Sequence, residues 1–115
     1  MFVERFESRN QFEEMLAGDH PGVFVQFTAT WCGPCKKISP IVNEFIRSNS
    51  SKLLCCRLDV DQNVDLYSYL KRKRLINGIP CLYYYDKTNH TIAPSATITG
   101  GNEERVAVFL RSIPT

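Results

Sequence analysis

The chain has 115 residues, 43% of them hydrophobic and 23% charged, which is typical of one globular domain with a hydrophobic core. Its formal net charge of +2 is too small to indicate a nucleic acid as a partner. The five cysteines are an odd number, which argues against a fully paired disulfide scaffold. The sequence has no signal-peptide pattern and no apolar run of membrane-spanning length, so we expect a cytoplasmic protein with one domain, residues 1–115.

The first part of the chain predicts a strand, a helix and a second strand. Residues 2–6 alternate apolar and charged side chains, which is typical of a short half-buried strand. Ser8 and Gln11 form a capping-box pattern for a helix that ends by Gly18. After a turn, the run Val23–Phe27 is apolar, β-branched and aromatic, and it indicates a buried strand.

Two cysteines stand at the junction between this strand and the next predicted helix. Residues 31–35 read Trp-Cys-Gly-Pro-Cys, and residues 36–49 have apolar side chains at helical spacing. The start of a helix has unpaired N–H groups and the positive end of the helix dipole, which favour a thiolate. We therefore expect Cys32 to be a nucleophile with a lowered pKa. Cys35, one turn into the helix, is expected to resolve the mixed disulfide that Cys32 forms with a substrate.

The rest of the chain predicts three more strands and two more helices. The complete order is β-α-β-α-β-α-β-β-α, which indicates an α/β domain with a central mixed five-stranded sheet flanked by four helices. The predicted strands cover residues 53–60, 79–85 and 91–99, and the predicted helices begin after the capping residues Asn63 and Asn102.

These motifs and their order resemble the thioredoxin family over residues 6–113. The pentapeptide follows a buried strand, Pro40 lies in the next helix, and Asp59–Asp61 and Gly78–Pro80 follow in the family's order. The resemblance implies the thioredoxin fold and an oxidoreductase that reduces protein disulfides through a reversible Cys32–Cys35 disulfide. It implies no metal or organic cofactor, and electrons supplied by thioredoxin reductase or a small dithiol. We expect a monomer that binds neither nucleic acid nor membrane.

The resemblance also implies a surface that binds the substrate next to the cysteines. Pro80 is expected to be cis, and the backbone of Ile79 to pair with an extended substrate segment. The alternative for Pro80 is an ordinary turn proline before a strand. Trp31 is expected at the rim of the site, with core packing as its alternative. The apolar patch expected around Cys32 comprises Trp31, Gly33, Pro34, Ile79 and Gly100.

Two positions are expected to tune the dithiol. Gln26 occupies the place of a buried family aspartate that assists proton transfer, and glutamine does not titrate in this range. We therefore expect dithiol exchange with slower substrate release at neutral pH. A compatible interpretation is that a neutral residue avoids the cost of a buried charge. Arg57 occupies the place of a family lysine, and without the aspartate we expect it to lack that partner and to pair with Asp59.

Three alternatives to a disulfide reductase remain open. A zinc site would require further ligands, and the remaining cysteines and histidines form no second metal-binding pair. A disulfide oxidant or isomerase is the second alternative, although Gly33 and Pro34 between the cysteines match the reducing members of the family. The third alternative is a non-catalytic binding subunit with the same fold.

The remaining cysteines and one basic run are weaker signals. Cys55 and Cys56 are adjacent on a predicted strand and point to opposite faces, so we expect two inert buried thiols. Cys81 is predicted to be either a buried packing residue or a third oxidisable thiol near the dithiol. The run Lys71–Arg74 is typical of a solvated helix end, and its alternatives are a docking site for acidic partners or a nuclear address.

Overall fold

Strands and helices follow one another in the predicted order along the chain. The computed structural model describes residues 1–115. The strands are β1 (Phe2–Val3), β2 (Val23–Thr28), β3 (Leu54–Asp59), β4 (Cys81–Tyr85) and β5 (Ala96–Thr99). The helices are α1 (Arg9–Ala17), α2 (Gly33–Asn49), α3 (Val64–Arg72) and α4 (Glu103–Ser112).

The five strands form one mixed sheet in the order β1-β3-β2-β4-β5. Strands β1 and β2 each pair with β3 in parallel, whereas β4 pairs antiparallel with both β2 and β5. Parallel neighbours require long crossover connections, which the helices supply. The predicted mixed five-stranded sheet with four helices is therefore confirmed.

The two faces of the sheet are covered by separate hydrophobic clusters. The larger cluster contains residues of α1 and α3, and the smaller one contains residues of α2 and α4. Successive side chains of a strand point to opposite faces. Accordingly Cys56 packs in the larger cluster and Cys55 in the smaller one, as the sequence predicted. None of the helices has the length and apolarity needed to cross a lipid bilayer.

Several predicted strands are shorter than expected. The strand predicted over residues 2–6 ends at Val3, and the strand predicted over 91–99 begins only at Ala96. Residues 86–95 instead form a loop held together by the Asn89 side chain, which donates to the Ala93 carbonyl and accepts from the Thr91 backbone. Local hydrogen bonds of this kind compete with strand pairing, which explains the difference.

Two of the predicted helix caps are confirmed and one is wrong. The Ser8 hydroxyl accepts a hydrogen bond from the Gln11 N–H at 3.4 Å, and the Asn102 side chain accepts one from the Arg105 N–H at 3.0 Å. Asn63 precedes α3, but its side chain makes no cap hydrogen bond.

Asn63 instead binds three backbone groups in two segments of the chain. Its side chain is 2% exposed, and its Oδ1 accepts from the Phe6 N–H at 2.8 Å. Its Nδ2 donates to the carbonyls of Asp59, at 3.0 Å, and Glu4, at 3.4 Å. The segment after β1 is therefore attached to the end of β3 by a side chain rather than by a strand ladder.

Candidate active site

Helix α2 begins at the two cysteines of the pentapeptide. Cys32 is the N-cap residue, with an extended backbone, and its Sγ accepts a hydrogen bond from the Cys35 N–H at 3.2 Å. The two sulfur atoms are joined as a disulfide, and the Cα atoms are 5.2 Å apart. In the reduced protein, the same N–H and the positive helix end would stabilise a Cys32 thiolate over a thiol. The predicted placement at a strand-to-helix junction is confirmed.

The two residues between the cysteines are exposed, and Pro34 lies in the first turn of α2. A proline fits there because its missing N–H would have no partner within the helix. Gly101 approaches this turn closely: a Cβ atom on Gly101 would lie 2.8 Å from Pro34 Cβ and 3.2 Å from Pro34 Cα. Gly101 was missed by the sequence analysis, although its position beside Gly100 is a signal that could have revealed it.

The loop before β4 is connected to the same region. The Ile79–Pro80 peptide bond is cis, as predicted. The Pro80 carbonyl accepts a hydrogen bond from the Gly100 N–H at 2.9 Å. Gly100 has φ of +110°, a backbone conformation that favours glycine. Since Gly101 contacts Pro34, the two glycines bring the Pro80 loop and the cysteine turn together.

Trp31 lies on the surface next to Cys32. Its side chain is 66% exposed, and its indole Nε1 donates to Asp61 Oδ2 at 2.8 Å. The Asp61 backbone N–H in turn donates to Asp59 Oδ1 at 2.8 Å. The core-packing alternative for Trp31 is therefore wrong, and the indole is held in an exposed position by a carboxylate.

Gln26 and Arg57 form a hydrogen-bonded pair. They are directly opposite each other in the β2–β3 ladder, and Arg57 Nε donates to Gln26 Oε1 at 3.0 Å. The Arg57 guanidinium also donates to the Asn43 side chain and lies over the Phe2 ring, 5.4 Å from its centroid. The predictions that Arg57 lacks a partner at position 26 and pairs with Asp59 are therefore wrong. The parallel register places the glutamine amide within hydrogen-bond reach, and its oxygen is an acceptor for the guanidinium N–H.

A polar cavity of about 500 Å³ opens beside the start of α2. Its charged side chains come from the β1 and β3 side of the sheet and from α2. Ser39, which lines it, donates its hydroxyl to the Cys35 carbonyl at 3.0 Å. Through Ser39, the cavity reaches the backbone of the second cysteine, whose side chain is not among the lining residues. The lining residues are Glu4, Arg5, Thr28, Ala29, Thr30, Lys36, Ser39, Arg57, Asp59 and Gln62.

The other three cysteines are buried free thiols. Burial raises the pKa of Cys55 to about 11 and that of Cys56 to about 12. Burial also raises the pKa of Cys81, whose Sγ lies 3.5 Å from the Thr97 hydroxyl and accepts from the Thr99 hydroxyl at 3.6 Å. Thiols with raised pKa values are poor nucleophiles at neutral pH, so reactivity is concentrated at the Cys32–Cys35 pair. No group of three or more metal-binding side chains is assembled in the structure.

Comparisons with known proteins assign the family. Residues 3–112 match the thioredoxin family model. The chain is 35% identical to a thioredoxin of Pseudomonas aeruginosa over 99 residues, which cover 85% of this chain and 83% of that protein. It is 40% identical to a bifunctional thioredoxin reductase/thioredoxin of Mycobacterium leprae over 55 residues, which cover 48% of this chain and 12% of that protein.

A solved structure supports the same assignment. Thioredoxin of Plasmodium falciparum superimposes with a TM-score of 0.72 at 25% identity, and the alignment covers 97% of this chain and all of that one. This likeness extends over the whole sheet and the helices on both of its faces. The chain therefore belongs to the thioredoxin family of thiol–disulfide oxidoreductases.

Proposed function

We propose that this protein reduces disulfides in protein substrates, with Cys32 as the nucleophile and Cys35 as the resolving thiol. The observation that carries the proposal is the geometry of the helix start. The Cys32 sulfur accepts the Cys35 N–H, and the Cys35 sulfur is close enough to form a disulfide with it. An ionised attacking sulfur and a second sulfur within bonding reach are the two requirements of dithiol–disulfide exchange.

The proposed reaction has two exchange steps. The Cys32 thiolate attacks one sulfur of the substrate disulfide, which forms a mixed disulfide and releases the other substrate sulfur as a thiolate that takes up a proton. Cys35 then loses its proton and attacks Cys32 Sγ, which expels the second substrate thiolate. Two electrons pass to the substrate, and the protein is left with the Cys32–Cys35 disulfide.

We assign substrate binding to the surface around Cys32. Ile79 and Pro80 precede β4, and the carbonyl of Pro80 is occupied by the Gly100 N–H, so the Ile79 backbone is the group proposed to pair with an extended substrate segment. The exposed Trp31 ring and the turn of Gly33 and Pro34 supply the apolar part of this surface.

Gln26 is proposed to make the release step slower near neutral pH. An amide cannot accept the Cys35 proton, so water or another group must take that role. Gln26→Asp tests this assignment through the pH profile of disulfide reduction, because a carboxylate at position 26 would supply a titrating acceptor. Equal rates for Gln26→Asp and the unmodified protein from about pH 6 to about pH 9 would contradict it.

The electron donor is proposed to be thioredoxin reductase or a small dithiol. The Mycobacterium leprae relative, whose name combines the reductase with thioredoxin, supports the first of these donors. We further propose a monomer that works in a reducing compartment such as the cytoplasm. Three unpaired cysteines in the core support this location, since they would persist as thiols there.

An insulin reduction assay tests the proposed function, with dithiothreitol as donor and separately with thioredoxin reductase and NADPH. Cys32→Ser and Cys35→Ser should both lose activity, but only Cys35→Ser should retain insulin as a mixed disulfide through Cys32. Cys55→Ala is the matched control, because its thiol is buried and remote from the helix start in the sequence. Undiminished activity in Cys32→Ser, or an equal loss in Cys55→Ala, would contradict the proposal.

A further inference from the structure

Strand β5 forms one edge of the sheet and pairs only with β4. Three of its four residues, Ala96, Thr97 and Thr99, are exposed, and Ile98 is half-buried. An open edge strand presents backbone N–H and C=O groups to which another extended chain can pair. The edge of β5 is therefore a place where a further strand can be added.

The register identifies the backbone groups on the open side. In the β4–β5 ladder Leu82 is opposite Ile98, and beyond the strand the Gly100 N–H donates to the Pro80 carbonyl. Hydrogen-bonded and non-hydrogen-bonded pairs alternate in an antiparallel ladder. The backbone of Ile98 is therefore directed toward β4, like that of Gly100, whereas the N–H and C=O groups of Thr97 and Thr99 are directed outward.

One side of this edge is basic. The Thr97 and Thr99 side chains are on the face of the sheet that carries Cys81, and together with Lys71 and Arg74 they line a groove of about 460 Å³. The groove has no acidic side chain among its lining residues, which also include Leu75, Ile76 and Asn77. Its charge complements carboxylates.

The basic segment, Lys71–Arg74, is held in place next to β4. The Tyr83 hydroxyl donates to the Leu75 carbonyl at 2.6 Å, and the Leu75 N–H donates to the Leu70 carbonyl at 2.9 Å. Arg74 directly precedes Leu75, and its backbone has a φ of +59°. The position of the positive charge relative to the edge of β5 is therefore set by the core of the domain.

The other side of the edge is more apolar, although Thr97 lines the grooves on both sides. Ile98 and residues of α4 line a groove of about 430 Å³, and Val108 in it is 55% exposed. Phe109 packs against the core from the same helix. The two charged residues of this groove, Glu104 and Arg105, have opposite signs. This side favours apolar side chains without selecting a charge.

We propose that the edge of β5 binds an extended segment of a partner protein in which acidic and apolar residues alternate. Side chains of an added strand point alternately to the two faces of the sheet. Acidic residues would then meet Lys71 and Arg74, while apolar residues would meet Ile98 and Val108. The outward groups of Thr97 and Thr99 supply the main-chain hydrogen bonds. Strand addition needs no reaction of Cys32 or Cys35, so the inference goes beyond the proposed disulfide reduction.

A partner segment is favoured over a second copy of this chain. Antiparallel pairing of β5 with its own copy places the same face of both sheets on one side. Lys71 and Arg74 of both copies would then share that side, and like charges repel. An acidic segment would instead be attracted to Lys71 and Arg74.

Binding is tested with a capped synthetic peptide of alternating Glu and Val, titrated into the oxidised ¹⁵N-labelled protein at low salt and followed by NMR. We expect shift changes centred on the amides of Thr97 and Thr99, and weaker binding as salt is added. The same peptide N-methylated at every second residue, and a peptide of alternating Lys and Val, should each bind about tenfold more weakly or not at all.

Variants of this chain provide a second test. Thr97→Pro removes an outward N–H without removing a ladder donor to β4, and proline is tolerated on edge strands. Thr97→Val is the matched control, because it also loses the hydroxyl but keeps the N–H. We expect peptide binding about tenfold weaker for Thr97→Pro than for Thr97→Val. Reversal of both charges, in Lys71→Glu combined with Arg74→Glu, should transfer the preference to the Lys–Val peptide.

Strand addition at β5 can be wrong while the proposed disulfide reduction is right, and the reverse also holds. All of these variants should reduce insulin at the unmodified rate, which also shows that they fold. Binding that is unaffected by N-methylation and by Thr97→Pro would overturn strand addition. NMR shift changes centred on Trp31 would overturn the assignment of the binding surface to β5. A dimer formed through β5 without peptide would overturn the choice of a partner segment as the occupant.

Discussion

Substitution of Gly101 by alanine should disturb the turn that carries the cysteines. A Cβ atom added at Gly101 would lie 2.8 Å from Pro34 Cβ, 3.1 Å from its carbonyl oxygen and 3.2 Å from its Cα. All three atoms belong to the backbone or to a rigid ring, so no flexible side chain can move aside. Either the segment that carries Gly101 or the turn of Gly33 and Pro34 must shift.

The expected cost is that of overpacking. Insertion of a methyl group into a close-packed contact typically costs about 1–3 kcal/mol. We therefore expect the free energy of unfolding of Gly101→Ala to fall by about 1–3 kcal/mol. The turn of Gly33 and Pro34 connects Cys32 to Cys35. A shift of this turn should therefore also lower the rate of insulin reduction.

Urea unfolding of the oxidised protein measures the loss of stability, and the insulin assay measures the loss of rate. Gly78→Ala is the matched control, since a Cβ on Gly78 has no neighbour within 4 Å and its backbone is not in the left-handed region. The control should be neutral or stabilising by about 0.4–1 kcal/mol, through the reduced entropy of the unfolded chain. Equal stabilities and rates for the two variants would refute the close approach of Gly101 to Pro34.

Three further predictions concern other parts of the chain. Asn63→Ala leaves buried backbone groups without partners and should lower the free energy of unfolding by about 2–4 kcal/mol in urea denaturation. Asp61→Ala removes the acceptor of the Trp31 indole N–H, so this ring is no longer held in place and the KM for the substrate should rise. The free energy of unfolding should change by less than about 1 kcal/mol, because the bond is exposed. An unchanged KM would contradict this role of Asp61. Burial raises the thiol pKa values of Cys55 and Cys56 to about 11 and about 12. Above about pH 9 the unfolded chain therefore binds fewer protons than the folded one, and stability in urea should decrease as pH rises through this range.

The features that local chemistry determines could be predicted from the sequence. The apolar run that forms β2 leads into a Cys-Gly-Pro-Cys turn, and a proline is tolerated in the first turn of a helix for a reason that does not depend on the rest of the fold. For the same reason the cap of α4 by Asn102 was predictable, since the side chain bonds to a backbone group three residues away.

The features that depend on register or on distant contacts could not be predicted. Arg57 binds Gln26 across the β2–β3 ladder, whereas the sequence analysis expected no partner at position 26 without the family aspartate and assigned Arg57 to Asp59 on its own strand. Asn63 resembles a helix cap in sequence, yet its side chain is used to bind the backbone near Phe6, 57 residues earlier in the chain. Both errors arise where a long-range polar contact replaces a local one.

The pKa of Cys32 in the reduced protein tests the central claim most directly. It can be measured from the pH dependence of alkylation by iodoacetamide, with the unfolded chain as reference and Cys35→Ser used to isolate the Cys32 signal. Because Cys32 accepts the Cys35 N–H at the start of α2, half-maximal alkylation should occur at a lower pH than in the unfolded chain. A value equal to or above that of the unfolded chain would contradict the claim that the start of α2 activates this sulfur.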